Sequence, residues 1–123
     1  MKKFSLLTFL TIFATLGCQS SPVKIACSES DWFELGRRDG AIGKPLQIQS
    51  HKARCGKDLS AANENLYVQG YNNGLSEYCS PDNGFAIGRS GGNPSKICPA
   101  PLDTHFFAAV RKGIKARQAE ETN

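Results

Sequence analysis

No run of apolar residues in this chain reaches the roughly 20 that a membrane-spanning helix needs. The longest, residues 4–16, is interrupted by Ser5, Thr8, Thr11 and Thr15, which argues against a retained span. Neither a Cys-x2-Cys nor a His-x3-His pair occurs, so His51-x3-Cys55 has no companion with which to hold zinc. No metal or cofactor is therefore expected. The 15 Lys and Arg residues are interspersed with 11 Asp and Glu rather than gathered in blocks, and a nucleic-acid partner is not expected. Within residues 82–101 strand-like alternation is confined to Phe85 and Ile87, enough for no more than a short hairpin.

The N-terminus has the order charge, apolar run, small residue. Lys2 and Lys3 precede residues 4–16, followed by Gly17 and Cys18; this is the layout of an export signal. Leu16-Gly17-Cys18 resembles the lipobox of bacterial lipoproteins, with Thr15 a departure at its third position before the cysteine. Residues 1–17 then read as a signal peptide, and Cys18 as the acylated N-terminus of the mature chain. Two or three acyl chains hold a protein on a bilayer, whereas one binds only marginally. Gln19 resembles the residues that permit sorting to the outer membrane. The expected location is the cell envelope, lipid-anchored at the outer membrane and facing the periplasm.

What remains after cleavage is one small domain with a modest core. Residues 18–30 form a lipidated tether, 31–117 a domain and 118–123 a polar tail. With Cys18 taken by lipid, Cys27, Cys55, Cys79 and Cys98 are left, an even number suited to disulfides in an exported chain. Of the three possible pairings, Cys27 with Cys55 and Cys79 with Cys98 is favoured by the expected helices. Asp31 and Glu34 open a first helix that Lys44-Pro45 stops. A second spans about 46–55, with Lys52 and Arg54 in its last turn and Gly56 after it. Helices joined by a short connection pack antiparallel, which brings Cys27 near Cys55.

The third helix is the clearest: Tyr67, Gly70, Tyr71, Gly74, Leu75 and Tyr78 fall on one face. Ser60 caps it and Ser80-Pro81 ends it. Residues 82–101, rich in Gly, Pro, Asn and Ser, read as a long ordered loop with a short hairpin at Phe85 and Ile87, clamped by Cys79 and Cys98. A last helix opens at Asp103. The expected fold is mainly α: a small disulfide-stapled domain of about four helices and one long ordered loop. By the chain-entropy view each bridge contributes about 3 kcal/mol.

Glycine inside a helix costs about 0.8–1 kcal/mol against alanine, yet Gly36, Gly40, Gly70, Gly74 and Gly113 fall on apolar helix faces. Close approach of helix backbones, with Trp32, Tyr67, Tyr71 and Phe106 filling the grooves, is expected to offset that cost; the alternative is a ligand approaching the bare backbone. The Gly36–Gly70 spacing resembles that of tetratricopeptide repeats, but the other repeat positions are not filled.

The motifs Asp31-Trp32-x3-Gly36-x2-Asp39-Gly40, Tyr67-x2-Gly70-x3-Gly74-Leu75-x2-Tyr78-Cys79, Asn83-Gly84-x3-Gly88 and Cys98-Pro99 together resemble an uncharacterised bacterial lipoprotein family, domain of unknown function 2799. The resemblance covers residues 31–113 and implies no activity. Gly92-Asn93-Pro94 and Val110 depart from the family, which tends to carry aromatics at these two places.

Among candidates for chemistry, Asp39 lies seven residues after Trp32, on the inward side of the first helix. A carboxylate there is expected to accept from a tyrosine hydroxyl or helix-end amides. Its alternative role is acid, base or ligand group in a cleft between helices one and three, with Tyr67 and Tyr71 as candidate binding residues. His51 and His105 are read as surface residues, and Arg37-Arg38 and Arg111-Lys112 as solvated pairs. No catalytic residues are assigned. The expected function is a non-catalytic binding or structural module of the envelope, its partner another envelope protein or a cell-wall polymer. The alternative is a small-ligand binder or enzyme built around Asp39.

Overall fold

The computed structural model describes residues 27–28 and 31–123. The residues expected to form a signal peptide (1–17), Cys18 and the expected tether apart from residues 27–28 lie outside the described residues. Five α-helices follow one another: α1 (Trp32–Ala41), α2 (Ile48–Cys55), α3 (Ala61–Tyr78), α4 (Pro81–Ser90) and α5 (Leu102–Glu121). A 3-10 turn at Gly56–Asp58 links α2 to α3, and no strand occurs among the described residues. The fold is mainly α, as expected. Both disulfides close with the favoured pairing, Cys27 to Cys55 and Cys79 to Cys98. Helix α5 continues into the polar tail as far as Glu121, and those tail residues are exposed.

The helix starts follow from their caps. Asp31 accepts from the Glu34 amide at 2.8 Å and opens α1. Ser60 does the same for Asn63 at 3.2 Å, opening α3. Such caps satisfy amide donors that the first helical turn leaves unpaired.

The expected long loop at 82–101 is corrected: its first half is α4. Ser80 accepts from the Asn83 amide at 3.3 Å and Pro81 occupies the first turn. The Ser-Pro pair that ends α3 therefore also begins a helix, because proline lacks only an amide that a first turn does not use. Gly84 and Gly88 conceal the helix in composition, but both are buried on its inner side.

Packing resolves into two helix pairs, α1 with α3 and α4 with α5. A methyl group on Gly36 would fall on the Tyr67 carbonyl, and one on Gly40 on the Tyr71 carbonyl. From the other side, Gly70 meets the Phe33 carbonyl and Gly74 the Arg37 carbonyl. Position advances along both helices together, so α1 and α3 run parallel and α2 is the crossover between them. The expected antiparallel packing of α1 on α2 gives way to this seam, because small residues spaced four apart let two backbones touch.

The second pair repeats the arrangement. Gly84 would meet the Phe106 carbonyl, Gly88 the Val110 carbonyl and Gly113 the Phe85 carbonyl, so α4 and α5 are also parallel. The spacing Gly36-x3-Gly40-x2-Gly43 recurs as Gly84-x3-Gly88-x2-Gly91. Gly43 and Gly91 have φ of 71° and 76°, the left-handed turn that ends a helix and favours glycine. Both ends share their hydrogen bonds: Gly43 N to Gly40 O and Lys44 N to Asp39 O in the first, Gly91 N to Gly88 O and Gly92 N to Ile87 O in the second.

Two buried apolar clusters form, one within the first pair and one joining the second half of α3 to the second pair. Trp32, Leu35, Ile48, Cys55, Leu59 and Tyr67 form one, and Tyr71, Leu75, Tyr78, Cys79, Phe106 and Val110 the other. Helix α3 supplies both and is the spine of the domain. Among the described residues no helix is long and apolar enough to cross a membrane.

Candidate functional site around Asp39

Asp39 sits one residue before Gly40, on the side of α1 that faces the crossover, and is 6% exposed. The Tyr67 hydroxyl donates to its Oδ2 at 2.7 Å, and the Lys44 ammonium lies 3.0 Å from its Oδ1. Both carboxylate oxygens are thus engaged, as a buried charge requires. Tyr67 also accepts from the Gln47 amide at 3.3 Å, and Tyr71 donates to the Lys44 carbonyl at 2.9 Å. Two tyrosines of α3, one turn apart, therefore hold the chain between α1 and α2 at both ends.

The structure brings together the three candidate binding residues Asp39, Tyr67 and Tyr71, the two rings stacked with centroids 6.5 Å apart. Burial, reinforced by the bond to Asp39, pushes the Tyr67 hydroxyl well above the ordinary phenol range. Burial likewise raises Tyr71, with the Asp39 charge adding to it. Both groups stay protonated donors, since a phenolate beside a carboxylate would repel it. Tyr78, on the same stripe of α3, belongs elsewhere: it packs on Phe106 at 5.4 Å and accepts from the Ser95 amide at 2.8 Å.

His51 corrects the expectation that it lies at the surface. It is 2% exposed, because α2 turns Ile48, His51 and Cys55 inward. Its ring meets the edges of Tyr67 and Trp32, with centroids at 4.9 and 5.5 Å. Neither of its nitrogens, nor the Trp32 indole nitrogen, has a hydrogen-bond partner among the described residues. Burial first, then the positive Arg54, holds the imidazole below its ordinary range; Asp39 opposes the shift and Lys44 adds to it. The spacing Ile48-x2-His51-x3-Cys55 is a helical inward stripe in which histidine occupies an apolar position, the signal by which its burial could have been found.

His105 is exposed on α5. Arg37 is paired with Glu34 at 2.8 Å and Glu77 at 3.4 Å, while Arg111 and Lys112 are exposed. Beside Asp39 stand Tyr67 and Lys44, each bonded to one of its oxygens. A shallow depression of about 340 Å³ lies instead on the outer side of α4, lined by Phe85, Ala86, Arg89 and Ser90.

The family described as "Protein of unknown function (DUF2799)" matches residues 31–115, from the cap of α1 to the middle of α5. The chain belongs to this family. It is also 30% identical over 123 residues to the "Uncharacterized protein YfiL" of Escherichia coli (strain K12), covering 98% of this chain and 93% of that protein. No solved structure matches the chain. The match takes in both glycine seams and the Asp39 cluster, while Cys18 and Cys27 fall before it.

Proposed function

We propose that this chain is a lipid-anchored module of the bacterial cell envelope that acts by binding a partner rather than by catalysis. The observation that carries the reading is the state of Asp39. Its two oxygens are taken by Tyr67 and Lys44, and the tyrosines that surround it are taken up in fixing the crossover. The most reactive-looking group of the domain is thereby a clamp, and function falls to the surface. That surface carries Phe33, Ile42, Leu46, Leu66, Phe85 and Leu102, all large, apolar and exposed. Single exposed apolar residues are ordinary, but Phe85 borders the depression on α4, a shape into which a partner side chain fits.

The anchoring part of the proposal rests on Lys2, Lys3, the apolar segment and Leu16-Gly17-Cys18. It sets the partner class: another envelope protein or a cell-wall polymer reached from the outer membrane. Crosslinking in intact envelopes, followed by affinity purification and mass spectrometry, tests both parts when the native chain is compared with a soluble form lacking Cys18. A partner enriched with the native chain and depleted by Phe85→Ala supports the reading. Efficient crosslinking with no reproducible partner would sink it.

A second reading, a small-ligand binder around Asp39, is favoured by one observation: the nitrogens of Trp32 and His51 beside Tyr67, which have no partner among the described residues. Asp39→Asn separates the two. Loss of ligand binding at unchanged melting temperature supports the second reading, and destabilisation as the main effect supports the first.

A further inference from the structure

We propose that α2 is a strap released by protonation of His51, uncovering the Trp32 and Tyr67 rings of the first helix pair at acid pH. The inference stands apart from the anchoring and partner readings above. It begins with how α2 is held. Its N-terminal end is fixed through Gln47 and Lys44 to Tyr67 and Tyr71, and its C-terminal end through Cys55 to Cys27. Between these ties, the inward side is Ile48 and His51, and the outward side adds one exposed ion pair, Lys52 with Glu64 at 2.9 Å. A segment tied at both ends with a thin middle can lift without global unfolding.

His51 is the weak point of that middle. Its ring is enclosed by Trp32 of α1 and Tyr67 of α3, and among the described residues no group accepts from either nitrogen. Among the described residues, the charged and titratable groups facing it are Asp39 on α1, Lys44 in the connection, Arg54 on α2 itself and Tyr67 on α3. Asp39 would attract an imidazolium, but Tyr67 and Lys44 already occupy its oxygens. Arg54 and Lys44 would repel it. Protonation therefore places a charge among apolar rings with no anion free to receive it among the described residues, and lifting α2 lets water solvate the ring.

The direction follows from linkage. The ring binds its proton less readily when α2 is closed than when it is open, where the ordinary value of about 6.5 applies. The closed state is fully favoured above that value. As pH falls below it, opening grows by up to about tenfold per pH unit until the closed ring itself titrates. The second pair has no counterpart, since the other histidine, His105, is exposed on α5.

Hydrogen exchange of the purified protein with both disulfides closed tests this, after correction for the pH dependence of intrinsic exchange. From pH 7.5 to 5, the amides of α2 are expected to exchange about tenfold faster while those of α4 and α5 keep their protection. Trp32, the one tryptophan of the chain, should shift its emission to the red over the same range. His51→Phe should abolish both changes, and His105→Asn should leave them intact. Acceleration shared by α2 and α4 would mean global opening and overturn the strap, as would persistence of the change in His51→Phe. If that variant does not fold, the His51 ring resonances of the native chain decide. A midpoint below 6.5 with accelerated α2 exchange supports the proposal, and a midpoint at or above 6.5 overturns it.

Discussion

The two helix pairs share a backbone plan but not a chemistry. Each joins parallel helices through buried glycines and ends its first helix at a glycine in the left-handed region. Where the first pair has Tyr67 facing Gly36, the second has Phe106 facing Gly84; where it has Tyr71 facing Gly40, the second has Val110 facing Gly88. Asp39, before Gly40, corresponds to Ile87, before Gly88. The second pair thus demonstrates that the seam works with apolar residues at these positions. The polar set of the first pair is not what the seam requires, and what it holds is the crossover α2.

If the seams are equivalent, substituting either should damage the molecule to the same extent. Gly74→Ala and Gly88→Ala would each drive a methyl into a facing carbonyl, which the seam accommodates only by separating the helices. Overpacking of this kind costs about 1–3 kcal/mol or more, against which alanine regains about 1 kcal/mol of helix propensity. Each variant is expected to lose about 2 kcal/mol net in denaturant titration, from the upper end of that range because backbone, not a flexible side chain, is in the way. If one position accepts alanine freely, the likeness of the two seams fails.

The disulfides sharpen the same comparison. They close loops of similar length, with sequence separations of 28 and 19, so the chain-entropy contributions are close, about 3 kcal/mol each. Cys27→Ser with Cys55→Ser and Cys79→Ser with Cys98→Ser should therefore lose similar stability. Their local effects should differ: the first pair of substitutions loosens α2, the second the segment between α4 and α5. Exchange maps showing the same region loosened by both would contradict the division into two cores.

How much of this was legible beforehand follows the same division. Helix α3 was readable because its apolar residues fall on one face, and the disulfide pairing because cysteines sit near helix ends. Helix α4 was not, since Pro81, Asn83, Gly84 and Gly88 are all turn residues by composition. They are helical here because Ser80 caps them and α5 covers the glycines, a tertiary contact that no local pattern records. The bond of Asp39 to a tyrosine hydroxyl could be anticipated from an inward carboxylate opposite a tyrosine stripe. The role of Lys44 could not, because it depends on the turn at Gly43 folding the chain back onto α1.

Breaking the polar set directly gives the next effect in size. Tyr67→Phe copies the Phe106 of the second pair but leaves the Asp39 carboxylate buried without its hydroxyl donor. Hydrogen bonds to a charged group contribute about 1.5–3 kcal/mol, and a loss of about 2 kcal/mol is expected by thermal or chemical unfolding. Adding Asp39→Leu removes the stranded charge as well. The double variant should recover much of the loss, since apolar replacement of a whole buried polar group is often neutral or stabilising. A double variant less stable than Tyr67→Phe alone would show that the carboxylate stabilises the fold through Lys44 more than through Tyr67.

Tyr71→Phe should have the smallest effect, and it isolates the crossover. The ring keeps its packing and only the 2.9 Å bond to the Lys44 carbonyl is lost, a neutral bond in a half-buried place where water can replace the donor. A loss of about 1 kcal/mol is expected. Because the corresponding Val110 makes no such bond, the substitution moves the first pair toward the second at one atom. Its mark should be local, with faster hydrogen exchange around Lys44 and at the start of α2 and unchanged protection in α4 and α5. A loss well above 2 kcal/mol, or one that spreads to α4 and α5, would mean that the chain between α1 and α2 supports the whole domain. The two pairs would then be one cooperative unit rather than two seams joined by α3.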